Sequence, residues 1–223
     1  MNKIAVIVAG GSGKRMGAEI PKQFLLLKGQ TILWHSINSF LNAFNDIHII
    51  VVLPKEHFKE GEEIIKTFGK ASKKIGVILG GETRYQSVQQ GLKLVANGSI
   101  VFVHDAVRCL ITKDLIKRCY EQTLELGSAI PAISAIDSIR LAEKNNGSKV
   151  LDRNNVKIIQ TPQTFLSNHL LEAFEQPFQE HFTDEATVVE AFGNPVFLCE
   201  GEKNNIKITT PIDLIVAEKL LEL

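Results

Sequence analysis

The sequence predicts an α/β protein, a three-layer sandwich in which helices cover both faces of a mostly parallel, mixed central sheet. Four short runs rich in β-branched residues are almost entirely apolar, which is typical of strands buried on both faces. They are KIAVIVA, IHIIVVL, IGVILG and SIVFVHDA, beginning at Lys3, Ile47, Ile75 and Ser99. Helical patterns lie between or after these runs, and this alternation favours a sheet built by right-handed crossovers.

Apolar residues at helical spacing predict three helices, which include residues 32–41, 88–95 and 115–126. The second half of the chain continues the alternation. NHLLEAFEQ and DEATVVEAFG predict helices, PVFLCEG predicts a strand, and PIDLIVAEKLLEL predicts a closing helix. Pro211 stands where it would begin that last helix, because proline is favoured at the first helical position.

The segment 136–160 interrupts the alternation. Two moderately alternating stretches flank KNNGSK, and Asn146-Gly147 predicts a two-residue hairpin turn. A hairpin inserted into an α/β domain has a face of its own that must be covered. Docking against a second subunit and closing over the active site as a lid are both consistent with the sequence.

Composition and charge exclude several classes of protein. Of the 223 residues, 44% are hydrophobic and 22% are charged, and the length suits one domain spanning residues 1–223. The 25 basic residues balance the 25 acidic residues, which disfavours a general nucleic-acid or membrane-surface binder. Three cysteines without a CxxC spacing predict reduced thiols, with neither a disulfide framework nor a zinc site. Because no segment approaches a membrane span or a signal peptide, we expect a cytoplasmic protein.

A glycine-rich loop, AGGSGKRMG, follows the first predicted strand and indicates a phosphate-binding site. A Walker A loop is excluded, because Arg15 stands where Ser or Thr is required and Val8 where the first glycine is. A dinucleotide fingerprint fits poorly, since Met16 replaces its third glycine and no acidic residue follows the next strand. A triphosphate cradle fits better, with Lys14, Arg15 and Lys22 to neutralise charge that builds at phosphorus. The alternative is that Lys14 and Lys22 are solvated surface lysines.

Polar clusters follow two further predicted strands. In GGETRYQSV, Arg84 and Ser87 lie in the first turn of a helix and could donate to a base or a phosphate, whereas the alternative is a turn with a helix cap. VHDAVR ends the fourth strand at the edge where α/β sheets bind ligands, so Asp105 is placed to hold a divalent metal or a hydroxyl. Lys207 lies among β-branched residues and would need an anionic partner if its segment is a strand. His104 is predicted to be a structural hydrogen-bonding residue rather than a base.

Eight motifs together occur in the order and approximate spacing of one enzyme family. They are AGGSGKRMG, PKQF, GGETRYQSV, HDAVR, DRNN, QTPQ, TDEA and NIKITTPIDL. The sequence resembles the 2-C-methyl-D-erythritol 4-phosphate cytidylyltransferases of the non-mevalonate isoprenoid pathway over nearly the whole chain. The resemblance implies a Rossmann-like nucleotidyltransferase fold, with an inserted hairpin arm (residues 136–160) through which two subunits interlock as a homodimer. It also implies CTP and a sugar-alcohol phosphate as substrates and Mg²⁺ as cofactor.

In the reaction of that family, the phosphate of the methylerythritol substrate attacks the α-phosphorus of CTP and expels pyrophosphate. This phosphate is already anionic, so catalysis needs positioning and charge neutralisation rather than a general base. The resemblance assigns catalysis at the pentacoordinate phosphorus to Arg15, Lys22 and Lys207. It assigns nucleotide contacts to Ala9, Gly10, Gly11, Ser12, Gly13, Gly81, Arg84 and Ser87. It assigns the sugar phosphate to Asp105, Arg108, Ser138, Arg153 and Thr183, some of them from the partner's arm, with Asp105 also as the metal ligand.

Two departures from the family pattern concern the sugar-phosphate site: Cys109 stands where proline is usual, and Ser138 where threonine is common. A pentitol-phosphate cytidylyltransferase acting on ribitol 5-phosphate is an alternative, since that family shares the glycine loop, PKQF and HDAVR. The closely spaced DRNN and QTPQ favour the methylerythritol enzymes. A nucleotide-binding regulatory module without turnover is a third alternative, but it would not require Arg15, Lys22 and Lys207, which are all present.

Overall fold

The computed structural model describes residues 1–10 and 20–222. Its strands are β1 (Asn2–Val8), β2 (Leu26–Leu27), β3 (Gln30–Thr31), β4 (Ile47–Leu53), β5 (Ile75–Leu79), β6 (Ser99–Asp105), β7 (Ser128–Ser134), β8 (Ile139–Ala142), β9 (Ser148–Leu151), β10 (Lys157–Ile159), β11 (Gln163–Leu166) and β12 (Leu198–Glu200). Its α-helices are α1 (Ile32–Ala43), α2 (Phe58–Lys66), α3 (Arg84–Leu92), α4 (Lys113–Leu126), α5 (Ser167–Ala173), α6 (Glu185–Ala191) and α7 (Pro211–Leu220). Short 3-10 turns cover Lys22–Phe24, Lys55–His57, Gly69–Lys74 and Arg153–Asn155.

The central sheet is mixed, as predicted. Its strand order is β10-β7-β11-β6-β1-β4-β5, with β12 beside β7. The pairs β1–β4, β1–β6, β4–β5 and β7–β12 are parallel, whereas β11 runs antiparallel to both β6 and β7, and β10 runs antiparallel to β7. In the β1–β6 register, Val8 lies opposite Asp105, so the carboxyl ends of these two strands meet at one edge of the sheet.

Helices cover both faces of the sheet, which gives the predicted three layers. Along β1, Ala5 and Ile7 pack into the cluster that contains apolar residues of α1 and α4, while Val6 and Val8 pack into the cluster that contains those of α3, α5 and α6. Successive side chains of a strand point to opposite faces, so a strand buried on both sides must be apolar throughout. This is the physical reason why the apolar runs predicted their strands well.

The predicted hairpin forms, but its turn is longer than the sequence suggested. Strands β8 and β9 pair from Ala142 opposite Ser148, and the Glu143 amide donates to the Gly147 carbonyl at 2.9 Å. The two-residue Asn-Gly turn is therefore wrong: three residues separate Glu143 and Gly147, and the last of them, Asn146, has a φ of +57°. A three-residue hairpin loop needs a left-handed residue at that position, and asparagine tolerates this conformation.

Two helix boundaries also bear on the sequence predictions. Helix α7 begins at Pro211, as expected, behind a capping box formed by Thr210 and Asp213. Helix α3 ends at Leu92, so Val95, which the sequence placed in this helix, lies beyond its end and still packs into the core. Over the part of the chain that is described, no helix combines the length and apolar character needed to cross a membrane.

Candidate active site

A cavity of about 260 Å³ opens at the edge of the sheet where β1 and β6 end. Ligands of open α/β sheets bind at this position, because the loops that follow the carboxyl ends of the strands converge there. Eight residues predicted from the sequence line the cavity: Ala9, Gly10, Lys22, Gly81, Arg84, Ser87, Asp105 and Lys207. The other lining residues are Val8, Gln23, Glu82, Thr83 and Val107.

Four charged side chains of alternating sign are linked in one row, which we call the ionic chain: Glu185, Arg84, Asp105 and Lys207. The Arg84 guanidinium donates to both oxygens of Glu185, with Nη1–Oε1 at 2.5 Å and Nη2–Oε2 at 3.0 Å. Its Nε donates to Asp105 Oδ1 at 3.1 Å, and Lys207 Nζ donates to Asp105 Oδ2 at 2.7 Å. The two-bond contact to Glu185 fixes the plane of the guanidinium, and with it the direction in which Nε faces Asp105.

Burial and charge shift the pKa values along the ionic chain in different directions. Burial raises the pKa of Glu185, whose exposed fraction is 1%, even though Arg84 favours its charged form. Burial also acts to raise the pKa of Asp105, but the charges of Arg84 and Lys207 outweigh it and hold that pKa below the usual range. For Arg84, the two carboxylates outweigh burial and raise the pKa. Asp105 and Arg84 are therefore charged throughout the physiological pH range.

Lys207 reaches the cavity from an extended segment that runs beside the loop after β6. The Ile208 amide donates to the Val107 carbonyl at 2.9 Å, which holds this segment in place. Lys207 has an anionic partner, Asp105, at 2.7 Å. The strand suggested for this segment is absent from its secondary structure, and the Lys207 side chain is 42% exposed, so its charge is not an interior one.

The 3-10 turn Lys22–Phe24 forms another wall of the cavity. Lys22 is only 9% exposed, so the alternative that it is a solvated surface lysine is wrong. The neighbouring Gln23 is buried, and its Nε2 donates to the Ala9 carbonyl at 2.7 Å, which fixes the start of the glycine loop. Sequence reasoning missed Gln23, although PKQF contains it. The predicted residues Gly11, Ser12, Gly13 and Arg15, together with Lys14, lie outside the described residues.

The loop before α3 is held by a buried serine. Ser87 Oγ donates to the Thr83 carbonyl at 2.9 Å and accepts from the Gly81 amide at 3.2 Å. A Cβ on Gly81 would lie 2.4 Å from the Cβ of Gln86, so only glycine fits there. Thr83 caps α3 in a capping box with Gln86. The helix cap and the cavity wall are thus the same structure, and the two readings of GGETRYQSV do not exclude one another.

His104 and Arg108 support the backbone around Asp105. Thr161 Oγ1 accepts from the Asp105 amide at 3.1 Å and forms a second hydrogen bond with His104 Nδ1 at 3.0 Å. Burial lowers the pKa of His104 to about 3, which agrees with the structural role predicted for it. The Arg108 guanidinium donates to the carbonyls of Asn205 at 2.9 Å and Ile159 at 3.3 Å.

Four predicted sugar-phosphate residues lie outside the cavity lining of this chain: Arg108, Ser138, Arg153 and Thr183. Ser138 and Arg153 belong to the arm, where Arg153 Nη1 donates to the Ile136 carbonyl at 2.9 Å. Thr183 is exposed just before α6, and it is not the helix cap, because the Asp184 side chain accepts from the Thr187 amide instead. An aspartate caps as well as a threonine does, and TDEA offers both.

Sequence reasoning missed Glu185, the buried end of the ionic chain. In TDEA it reads as an ordinary acidic residue in the first turn of a helix. The available signal was Arg84: a guanidinium predicted at a sheet edge beside Asp105 needs further acceptors when it is buried. The contact between Glu185 and Arg84 spans 101 positions of sequence, and no local pattern specifies it.

A metal ion bound to Asp105, the predicted ligand, would compete with two cations of the protein for the same carboxylate. Each of its oxygens accepts a bond from Arg84 or Lys207, although an ionised carboxylate has about four acceptor positions. Among residues 1–10 and 20–222, no group of three or more His, Cys, Asp or Glu side chains could hold a metal ion. Mg²⁺ is commonly bound through one or two carboxylates and substrate phosphates, so Asp105 fits as a single protein ligand to a phosphate-bound ion.

Comparison with solved structures finds the same fold. The crystal structure of 4-diphosphocytidyl-2C-methyl-D-erythritol synthase from Anaerococcus prevotii is similar with a TM-score of 0.84 and 26% identity, covering 100% of this chain and 99% of that one. The 2-C-methyl-D-erythritol 4-phosphate cytidylyltransferase of Francisella tularensis is similar with a TM-score of 0.78 and 34% identity, covering 98% and 99%.

Sequence comparison assigns the family. Residues 3–223 match the family described as 2-C-methyl-D-erythritol 4-phosphate cytidylyltransferase. The enzyme of that name from Bacteroides fragilis is 42% identical over 221 residues, covering 99% of this chain and 100% of the relative. The one from Porphyromonas gingivalis is 42% identical over 220 residues, covering 98% and 97%. With this match along almost its whole length, the chain belongs to the 2-C-methyl-D-erythritol 4-phosphate cytidylyltransferase family.

Proposed function

We propose that this protein transfers CMP from CTP to 2-C-methyl-D-erythritol 4-phosphate and releases pyrophosphate, as a step of non-mevalonate isoprenoid synthesis. The observation that carries the proposal is the cavity at the ends of β1 and β6, which Lys22 and Lys207 line together with Asp105. A site that binds two phosphorylated substrates must neutralise their negative charge, and these lysines supply the positive charge. The family to which the chain belongs acts on the same substrates by name.

In the proposed reaction, an anionic phosphate oxygen of the sugar alcohol forms a bond to the α-phosphorus of CTP. The bond from that phosphorus to the bridging oxygen of pyrophosphate breaks, and the leaving group takes the electron pair. No proton needs to be removed from the attacking group. The protein therefore contributes positioning and charge stabilisation, which are the main terms in phosphoryl-type transfer.

Lys22 and Lys207 have different surroundings and complementary tasks. Lys22 is almost fully buried, so its ammonium acts in a region of low dielectric where charge interactions are strong. Lys207 is held by Asp105 at 2.7 Å and is partly exposed, so its position is set by the ionic chain. We propose that both lysines, with Arg15 of the glycine loop, stabilise the charge that develops at the α-phosphorus and on the pyrophosphate.

We propose further that Ala9, Gly10, Gly11, Ser12, Gly13, Gly81, Arg84 and Ser87 form the nucleotide site. Arg84 uses three of its donors on carboxylates, so its part in nucleotide binding is chiefly to hold Asp105. Asp105 would hold Mg²⁺ together with the phosphate oxygens of CTP. When bound, the ion would neutralise triphosphate charge.

The arm supports a homodimer. Apolar side chains on it and at its base are exposed, with fractions of 73% for Ile136, 55% for Leu141 and 65% for Val150. We propose that these residues pack against a second copy and that Ser138 and Arg153 complete the partner's sugar-phosphate site beside Asp105, Arg108 and Thr183. In this arrangement residues 1–223 form one nucleotidyltransferase domain, and 136–160 is its dimerisation arm.

Pyrophosphate release from CTP and Mg²⁺ tests the proposed function, with 2-C-methyl-D-erythritol 4-phosphate compared with ribitol 5-phosphate. We expect release only with the methylerythritol substrate. Preference for ribitol 5-phosphate would instead identify a pentitol-phosphate enzyme, and CTP binding without turnover on either substrate would identify a regulatory module. The three free thiols support a cytoplasmic location, which fractionation of source cells would test.

A further inference from the structure

Two of the three cysteines lie side by side although they are 80 positions apart in sequence. Cys119 is in the middle of α4, and Cys199 is the central residue of β12. Their Sγ atoms are 3.8 Å apart. Cys109 is buried in a different cluster, among residues of β2, α1 and α7, and is therefore an internal control.

Cys199 has access to solvent, whereas Cys119 does not. Cys119 is fully buried, and Cys199 is partly buried and lines a second cavity of about 540 Å³. This cavity lies under the base of the arm and is separate from the candidate active site, since the two share no lining residue. A small oxidant can therefore reach Cys199 before Cys119, which is the more deeply buried of the two.

Local chemistry also favours Cys199 as the reacting thiol. Its pKa is lowered, chiefly because the Cys119 thiol can donate to its sulfur, with the charge of Arg118 adding to the effect. Arg118 is anchored beside it, since Nη1 donates to the Glu200 carbonyl at 2.7 Å. The thiolate is the reactive form of cysteine, so a thiol with these neighbours reacts before one buried among apolar side chains, such as Cys109.

Little movement is needed to join the two sulfurs. A disulfide bond measures about 2.05 Å, against the present separation of 3.8 Å. Within the described chain β12 is only three residues long and pairs with β7 alone, so it can shift more easily than a central strand.

We propose that Cys199 and Cys119 are a redox modification site that forms a reversible intramolecular disulfide on reaction with a peroxide. The Cys199 thiolate attacks one peroxide oxygen, the O–O bond breaks, and the second oxygen leaves as water after taking a proton. Cys199 is then a sulfenic acid. The Cys119 sulfur attacks it, the S–S bond forms, the S–O bond breaks, and the hydroxyl leaves as water with the Cys119 proton. Two thiols are oxidised and one peroxide is reduced to two waters.

The disulfide would tie α4 to β12, the strand that leads into the segment carrying Lys207. A dithiol reductant would restore both thiols by exchange. The proposal does not depend on the assigned enzymatic activity, and its test needs no substrate.

The test treats the full-length protein with hydrogen peroxide and counts free thiols after denaturation. We expect three thiols before treatment and one after it, with an intact mass lower by two hydrogens, and full recovery with dithiothreitol. Peptide mapping should find the bond between Cys119 and Cys199. The Cys109→Ser variant, as matched control, should form the same bond, whereas Cys199→Ser should lose its thiols at least about 10-fold more slowly.

Three results would overturn the proposal. They are a bond that includes Cys109, addition of oxygen to Cys199 while Cys119 stays a free thiol, and no difference in rate between Cys199→Ser and the parent protein. If Cys119→Ala, which removes a sulfur from the core, folds poorly, Cys199→Ser still decides the question, because Cys199 is on a short strand that pairs with β7 alone within the described chain.

Discussion

In the cavity at the ends of β1 and β6, charged side chains bond to one another and the carboxylates among them are buried, whereas in the arm apolar side chains are exposed and the charged ones bond to nearby backbone and uncharged polar groups. Glu185, Arg84 and Asp105 satisfy each other within one chain. Arg153 in the arm uses Nη1 on a carbonyl 17 positions away. This difference supports the proposed arrangement, in which one subunit builds the nucleotide half of the site by itself and the arm packs against a second copy.

The largest expected effect comes from removing a cation of the cavity. We expect Lys22→Met to lower kcat/KM for pyrophosphate release by about 10²-fold or more, because one charge-stabilising contact at a developing oxyanion contributes roughly 3 kcal/mol. Steady-state assays with both substrates measure it. Lys28→Met is the matched control, since Lys28 is an exposed lysine that pairs with Glu222. Near-parental turnover of Lys22→Met would contradict the assigned role.

A mixing experiment tests whether the arm acts in the partner's site. Lys207→Met leaves the arm intact, and Arg153→Ala leaves the cavity intact, so a mixed dimer contains one complete site if the arm crosses between subunits. After unfolding and refolding together, we expect recovery of about one quarter of the parental activity, because random pairing of two chains gives half mixed dimers with one working site each.

The same experiment can show instead that the arm does not act in the partner's site. Activity no greater than the average of the two separate variants would show that Arg153 serves its own subunit.

Light scattering on the parental protein at micromolar concentration should find a dimer. Val150→Asp, which places a charge on the exposed arm strand, should shift it toward monomer.

Glu185 is expected to be a positioning residue with an intermediate effect. In Glu185→Gln the side chain keeps its size, but the charge that holds the Arg84 guanidinium is lost, and Asp105 and Lys207 are less well oriented. We expect kcat to fall about 10-fold while KM for CTP changes by less than about 3-fold, since Glu185 does not line the cavity. Assays well below the unfolding temperature separate this effect from lost stability.

Glu222→Gln is the control for Glu185→Gln, because it removes a carboxylate from an exposed ion pair with Lys28. We expect that variant to keep the parental kcat. A Glu185→Gln enzyme with unchanged kcat, or one in which only the KM for CTP rises, would show that the ionic chain does not transmit the position of Arg84 to the cavity.

The apolar runs predicted β1, β4, β5 and β6 to within a residue of their observed bounds. The strand β7 was not predicted, because SAIPAIS contains Pro131, which normally argues against a strand interior. The four-residue β11 was also missed, although it lies between β6 and β7 and makes the sheet mixed. Its antiparallel insertion is determined by tertiary pairing rather than by any periodicity that four residues can display.

For the site, the residue types after the strands were sufficient to bring Asp105, Arg84 and Ser87 to the cavity, because parallel strands deliver their following loops to one edge, whereas Gly81 was assigned only by the family resemblance. The link from Arg84 to Glu185 could not be predicted from residue types, since it depends on how α6 packs beside α3 and α5. The contacts of Ser138 and Arg153 could not be predicted from the sequence of one chain either, because in the proposed dimer the group they contact belongs to another copy.

The pH dependence of stability should also distinguish the cavity from the arm. The pKa of Asp105 is lower in the folded protein than in the unfolded chain, because Arg84 and Lys207 outweigh burial. Asp105 therefore stabilises the fold fully above its unfolded pKa of about 3.9, and this contribution is lost as the pH falls below that value. At pH 7 we expect Asp105→Asn to lower the free energy of unfolding by about 3 kcal/mol, since it breaks a buried ion pair. Between about pH 5 and pH 3 the difference from the parental protein should shrink, as urea denaturation at each pH would measure.

Asp137→Asn changes an exposed carboxylate of the arm and should stay within about 0.5 kcal/mol of the parental protein throughout. A difference for Asp105→Asn that stays constant down to pH 3 would mean that its carboxylate does not contribute through its charge, and the ionic chain would then be held by packing alone.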